Sequence, residues 1–96
     1  MSRRTTLKFR LFVAGDTQNS TEAIANLSAF CRKHLPNRHE IEVVDVLREP
    51  QRAMKDSVFM TPTLVKLSPS PVRQIVGTLS EPHTLLQVLG LRTLAA

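Results

Sequence analysis

The side chains that could carry out covalent or metal chemistry in this 96-residue chain are few and scattered. The single cysteine, Cys31, has no second thiol with which to form a Cys-x-x-Cys redox pair or an internal disulfide. The three histidines, His34, His39 and His83, are not spaced as metal ligands, and no cysteine pair assists them. The sequence therefore predicts no catalytic residue, no metal site and no cofactor.

The cysteine, serine and glycine positions favour structural roles. Cys31 follows the helical spacing of its apolar neighbours, so we expect a small buried hydrophobe. Ser20 and Ser80 precede predicted helices and are expected to cap them, because neither belongs to a recognisable serine–histidine–acid motif. Gly15 and Gly77 are isolated glycines, which are expected to end strands and not to form a phosphate-binding loop.

Composition predicts one globular domain spanning 1–96, with an ordered core of about 7–91. Hydrophobic residues make up 42% of the chain and charged residues 22%, which is far from the composition of disordered chains. No apolar run approaches the roughly 20 residues that span a bilayer, and no secretory segment opens the chain, so we expect a cytoplasmic location.

The net charge of +5 predicts attraction to anionic surfaces without identifying them. Arg3, Arg4, Lys8 and Arg10 lie within the first ten residues. This charge is compatible with a solvated basic surface or with a nucleic-acid-binding face. Four phenylalanines, with neither tyrosine nor tryptophan, offer few platforms for stacking bases, so only weak, non-specific nucleic-acid binding is expected.

Apolar periodicity in the first half predicts a strand, a helix and a second strand. Alternation over 7–13 is typical of a half-buried strand, and helical spacing over about 20–34 predicts a helix with Asn19 as its cap. The valine-rich run 41–47 is apolar on most sides, so we expect it in the middle of a sheet and parallel to the first strand. Asp45 within that run either has a buried partner or points toward a strand end.

The second half predicts a short helix, a hairpin and a final helix. The helix is expected over 51–55 and the hairpin strands over 63–67 and 72–76. Pro69 and Pro71 provide the turn chemistry between them. The last helix follows Ser80. The complete order, βαβ, short helix, ββα, predicts a small α/β domain.

Pro62, directly before the alternating run Thr63-Leu64-Val65-Lys66, is similar in position to the cis-proline of thioredoxin-like proteins. Most of the chain also resembles the KaiB family, from about residue 7 to residue 91. The segments that carry this resemblance, in order, are Phe12-Val13-Ala14-Gly15 with Thr17 and Asn19-Ser20, Val44-Asp45-Val46-Leu47 with Pro50-Gln51, Thr61-Pro62-Thr63-Leu64, and Pro69, Pro71-Val72-Arg73, Ile75 and Gly77 with Leu79-Ser80.

The resemblance implies a thioredoxin-like α/β fold, no catalytic activity and binding to a KaiC-type ATPase whose phosphorylation or ATPase cycle the protein modulates. It also implies two accessible folds, a ground state that forms tetramers or dimers and a thioredoxin-like monomer. A histidine kinase system with a related domain would compete for the ATPase. The turn and switch positions expected from it are Pro62, Pro69, Pro71, Gly77 and Ser80.

The partner-binding residues expected from strand alternation and the resemblance are Arg73 and Lys66, with Lys8 and Arg10 as lesser candidates. The chain departs from the family pattern at Thr78, where an acidic residue is usual, and it has no tyrosine. Both departures bear on the relative stability of the two folds. A redox-enzyme relative without its cysteine motif and a nucleic-acid binder remain the alternative functions.

Overall fold

A four-stranded sheet with helices on both faces is the architecture of residues 5–91, the part of the chain that the computed structural model describes. The elements follow in the predicted order, which is thereby confirmed: β1 Leu7–Val13, α1 Gln18–His34, β2 His39–Asp45, α2 Pro50–Lys55, β3 Thr63–Ser68, β4 Arg73–Val76 and α3 Pro82–Val88. Arg3 and Arg4, part of the expected basic N-terminus, lie outside the described residues.

The strand order is β2-β1-β3-β4. β1 pairs in parallel with β2 and antiparallel with β3, and β3 pairs antiparallel with β4. The expectation that the valine-rich strand lies in the middle of the sheet is wrong, because β3 pairs with the other side of β1 and leaves β2 at an edge. Only Val44 of β2 is fully buried, whereas Val43 is 47% exposed. Local hydrophobicity does not determine which neighbours a strand acquires.

Two cores lie on opposite faces of the sheet. The larger core joins β1 and Leu64 of β3 to α1 and α3, and its centre includes Phe9 and Leu27. The smaller core places Phe12 and Val44 against α2 and the segment after it. Alternation along β1 explains this division, because Phe9 and Phe12 are an odd number of residues apart and so point to opposite faces.

The helix starts differ from the sequence prediction. Thr17, not Asn19, is the N-cap of α1, and its side chain accepts a hydrogen bond from the backbone N–H of Ser20 at 3.3 Å. Ser20 therefore lies inside the first turn and is not itself the cap. Ser80 is not a cap either, because Glu81 occupies that position before α3.

The segments around the hairpin carry the predicted turn chemistry. The peptide bonds that precede Pro62, Pro69 and Pro71 are all cis. Gly77 ends β4 with φ +125°, a conformation that residues with a side chain rarely adopt. Its backbone N–H donates to the carbonyl of Pro62 at 2.9 Å, which links the two ends of the hairpin.

Candidate partner-binding surfaces

The loop after β1 is where a redox enzyme of this architecture would present its nucleophile. Here Ser20 is 1% exposed, and its Oγ accepts hydrogen bonds from the Ala14 N–H at 3.0 Å and from the Thr17 hydroxyl at 2.8 Å. Asp45 Oδ1 accepts from the Gly15 N–H at 3.1 Å and from the Leu47 N–H at 3.0 Å. Asp45 therefore points toward the strand end, and both side chains brace the loop.

The only thiol among the described residues is unreactive because it is buried. Cys31 is completely buried in the larger core, as the sequence predicted, and burial raises the pKa of its thiol to about 11. A thiolate is the reactive form of cysteine, so Cys31 is unsuited to nucleophilic chemistry near neutral pH. Residues 5–91 also contain no group of three histidine, cysteine, aspartate or glutamate side chains that could hold a metal ion.

Lys66 and Arg73 are brought together by the hairpin, as the sequence reasoning anticipated. They are direct register partners across β3 and β4. Arg73 is exposed, whereas Lys66 is only 4% exposed, and burial followed by the charge of Arg73 lowers the pKa of Lys66. No described carboxylate forms an ion pair with either of them. The pair is therefore a concentrated positive charge without an internal counterion.

Lys8 and Arg10 lie apart from that pair. Lys66 shares the face of Leu64, toward α1 and α3, whereas Arg10 reaches toward α2 on the opposite face. Lys8 is exposed and has no ion pair among residues 5–91. Two of the four predicted cations therefore form a pair, and the other two do not join them.

The charge of Arg10 is already neutralised within the chain. Its guanidinium bonds to Glu42 and to Asp56, each at 2.8 Å, and these two hydrogen bonds raise the pKa of Arg10. Glu42 also pairs with Arg52 of α2 at 2.8 Å. Hydrogen bonds from Arg10 and then Arg52 lower the pKa of Glu42. This network fastens the short helix α2 to the sheet, which explains how a helix with little to bury is held.

An exposed apolar surface surrounds α2 and the segment before Pro62. We define it by four side chains, Leu47, Met54, Phe59 and Met60, which are 71%, 74%, 87% and 58% exposed. A shallow groove of about 250 Å³ lies in the same region and is lined in part by Phe59 and Met60. Sequence reasoning missed this surface. Its signal was the run Val58-Phe59-Met60, which is large and apolar but belongs to neither a helical nor a strand pattern.

The expected switch positions are spread over the second half. Pro62 is buried, whereas Pro69, Pro71 and Ser80 are exposed. The loop after Gly77 is fastened to α1 by Asn26, whose side-chain amide donates to the Thr78 carbonyl at 2.8 Å. Pro62 and Gly77 are joined by the backbone hydrogen bond described above, and Gly77 and Ser80 line one groove, whereas Pro69 and Pro71 lie between β3 and β4.

Comparison with solved structures identifies the fold. The N-terminal domain of SasA from Synechococcus elongatus superimposes with a TM-score of 0.74 at 20% identity, covering 94% of this chain and 89% of that domain. Mitochondrial thioredoxin 3 from Saccharomyces cerevisiae gives a TM-score of 0.71 at 18% identity, covering 93% of this chain and 82% of the thioredoxin. The protein is thus a thioredoxin-like α/β domain whose first helix begins with Thr17 and Gln18 where the redox chemistry would need a thiol.

Sequence comparison then gives the family. The KaiB domain profile matches residues 10–91. The circadian clock protein KaiB3 of Synechocystis sp. is 39% identical over 82 residues, covering 85% of this chain and 78% of that protein. The chain belongs to the KaiB family of circadian clock proteins, which supports a regulatory role in a clock system. No helix within residues 5–91 has the length and hydrophobicity needed to cross a membrane.

Proposed function

We propose that this protein is a non-enzymatic regulator that binds a KaiC-type ATPase and modulates its phosphorylation or ATPase cycle, in a circadian-clock or stress-response system. The observation that carries the proposal is the exposed apolar surface of Leu47, Met54, Phe59 and Met60. Large apolar side chains left exposed beside a groove mark sites of protein association. A redox function is disfavoured because the only described thiol is buried.

Phe59 is the proposed anchor of the interaction. Its side chain is 87% exposed and adjoins the groove, so it has most of its apolar area left to bury in a partner. Burying a phenylalanine contributes about 1.5–3 kcal/mol, and a few such aromatic residues usually dominate the energy of an interface. Loss of this one side chain therefore corresponds to roughly a tenfold to hundredfold weaker complex.

The basic residues contribute to the encounter with the partner. Lys66 and Arg73 have no described counterion, so a carboxylate-rich partner surface would complement them. Charge complementarity of this kind raises the association rate more than the final affinity. Lys8, which is exposed, is a lesser contributor, and Arg10 contributes least because Glu42 and Asp56 already neutralise it.

The test is a binding measurement against the ATPase from the same organism, immobilised in its ATP-bound and ADP-bound states. Phe59→Ser is expected to weaken binding about tenfold or more, and Arg73→Glu to slow association, most strongly at low salt. Val43→Ser is the matched control, because Val43 is 47% exposed on the edge strand β2, outside the apolar surface. Absence of binding by the unmodified protein in every nucleotide and phosphorylation state would overturn the proposal.

The proposed function includes a second packing of the C-terminal half, with Pro62, Pro69, Pro71, Gly77 and Ser80 as its turn and switch positions. Two packings that differ by only a few kcal/mol are sufficient for such a switch. In the alternative state we propose a cytoplasmic homo-oligomer, a tetramer or a dimer. Light scattering during incubation with the ATPase is expected to show this oligomer converting slowly into bound monomers, and a protein that is monomeric throughout would contradict it.

A histidine kinase with a related sensory domain is the proposed competitor for the same site on the ATPase. Competition requires that both proteins cover overlapping surfaces of the ATPase. Adding such a sensory domain to the preformed complex should release this protein. Simultaneous binding of both would refute this part of the proposal.

A further inference from the structure

The two methionines in the described part of the chain both belong to the apolar surface. Met54 lies in α2 and is 74% exposed, and Met60 lies beside the groove and is 58% exposed. Methionine is an apolar residue, and burial is its usual state in a folded domain. Here both thioethers lie within reach of solutes, on the surface that we propose binds the ATPase.

Cys31, in contrast to the two methionines, is shielded from oxidants. It is completely buried and burial raises its thiol pKa to about 11, so neither access nor ionisation favours its oxidation. A thioether needs no deprotonation before it reacts, so only exposure governs the two methionines. Among residues 5–91, the sulfur atoms open to an oxidant are therefore those of Met54 and Met60.

We propose that Met54 and Met60 are reversible oxidation sites, through which hydroperoxides weaken the binding of the partner at the apolar surface. The inference rests on the proposed function of that surface. In the reaction, a thioether sulfur forms a bond to one peroxide oxygen while the O–O bond breaks. The sulfur loses two electrons, and hydrogen peroxide is reduced to one molecule of water. A methionine sulfoxide reductase reverses the step by oxidising a dithiol to a disulfide and releasing the oxygen as water.

The sulfoxide changes the property on which the surface depends. It replaces a flexible apolar side chain with a polar one that must lose its bound water when a partner covers it. Met60 lines the groove next to Phe59, so its oxidation places a polar group beside the proposed anchor. We expect about tenfold weaker binding from oxidation at Met60 and a larger loss, up to about a hundredfold, when both residues are oxidised.

The test treats the folded protein with millimolar hydrogen peroxide and follows each methionine by peptide mass spectrometry. Both residues should gain one oxygen at close to the rate of free methionine, and binding to the ATPase should fall in parallel. Methionine sulfoxide reductases A and B should restore it. The double variant Met54→Leu, Met60→Leu keeps apolar side chains of similar volume but has no thioether at this surface. Its affinity is measured first without peroxide, and that affinity is expected to stay the same after peroxide. Met1 remains in this variant, so oxidation at Met1 is controlled.

Two separate measurements distinguish the effect of methionine oxidation from the partner binding itself. Binding by the untreated protein tests the function alone, and a partner-free readout tests the modification. Retention on a hydrophobic-interaction column should decrease after peroxide treatment of the unmodified protein and stay constant for the double variant. The inference is overturned if either methionine resists oxidation, if column retention does not change, or if the doubly oxidised protein binds the ATPase as tightly as the untreated protein.

Discussion

Ser20→Ala tests whether the Ser20 side chain stabilises the loop after β1. Ser20 Oγ accepts hydrogen bonds from the Ala14 N–H at 3.0 Å and from the Thr17 hydroxyl at 2.8 Å, and the side chain is 1% exposed. Substitution by alanine removes the acceptor for both donors. The Thr17 hydroxyl lies on an exposed residue and can turn to water, whereas the half-buried Ala14 N–H loses its described acceptor.

The expected loss of stability comes from the unpaired Ala14 N–H alone. A buried donor without a partner costs about 1–3 kcal/mol. Alanine has a better helix propensity than serine, by roughly 0.5 kcal/mol, which offsets part of the loss. We therefore expect the free energy of unfolding to fall by about 0.5–2.5 kcal/mol. For a domain of this size, the melting temperature would fall by roughly 2–20 °C.

Urea denaturation and differential scanning calorimetry measure the effect. Thr21→Ala is the matched control, because Thr21 is also in the first turn of α1 and donates to the Thr17 carbonyl at 3.1 Å, but is exposed. Water can replace its bond, so we expect a change within about 0.5 kcal/mol. Equal losses of unfolding free energy for the two variants would refute a structural role of Ser20 in the loop after β1. Loss of ATPase binding by a fully folded Ser20→Ala protein would show that Ser20 has a functional role instead.

Three further variants or reagents test other parts of the structure. Glu42→Gln removes the charge that pairs with Arg10 and Arg52 and should lower stability at pH 7 by only roughly 0.5–1 kcal/mol, since Glu42 is exposed. Because folding lowers the pKa of Glu42, the wild-type advantage in urea titrations should begin to decrease as pH falls below about 4.3 and be lost as pH falls through the lower pKa of the folded state. An unchanged difference at pH 3 would contradict this. Lys66→Met should raise the free energy of unfolding by up to about 1 kcal/mol at pH 7, because burial lowers the pKa of Lys66 and disfavours its charged form. This gain should shrink as pH rises toward about 10.4, where the lysine of the wild-type protein becomes neutral. A gain that is independent of pH would refute this explanation. A thiol reagent should label Cys31 only at the rate of unfolding, and rapid labelling of the native protein would show that the larger core opens locally.

The elements near the start of the chain were the most predictable from sequence. The predicted bounds of β1, Leu7–Val13, agree with the structure, because Lys8 and Arg10 alternate with apolar residues and Ala14-Gly15 follows the run. The start of α1 was two residues late, because Thr17 and Asn19 are both good caps and only the fold selects between them. The position of β2 at the sheet edge was not predictable from its own residues, since the pairing of β1 with β3 decides it.

The candidate site was predictable only in part. The pairing of Lys66 with Arg73 followed from hairpin geometry, and the structure confirms it. The neutralisation of Arg10 by Asp56 joins residues 46 positions apart, and no local pattern reports such a contact. The exposure of Phe59 was equally hidden, because a hydrophobic residue in a sequence is expected to be buried until the packing of its neighbours is known.

Residue types and their spacing along the chain are sufficient to predict the family, the order of the elements and the lack of a second thiol. Which charges stay free and which apolar side chains stay exposed follows only from the packing of the folded chain. Those properties depend on distances between segments that are remote in sequence. The surface proposed for binding is therefore a product of the packing of α2 against the sheet, and it exists only in the folded chain.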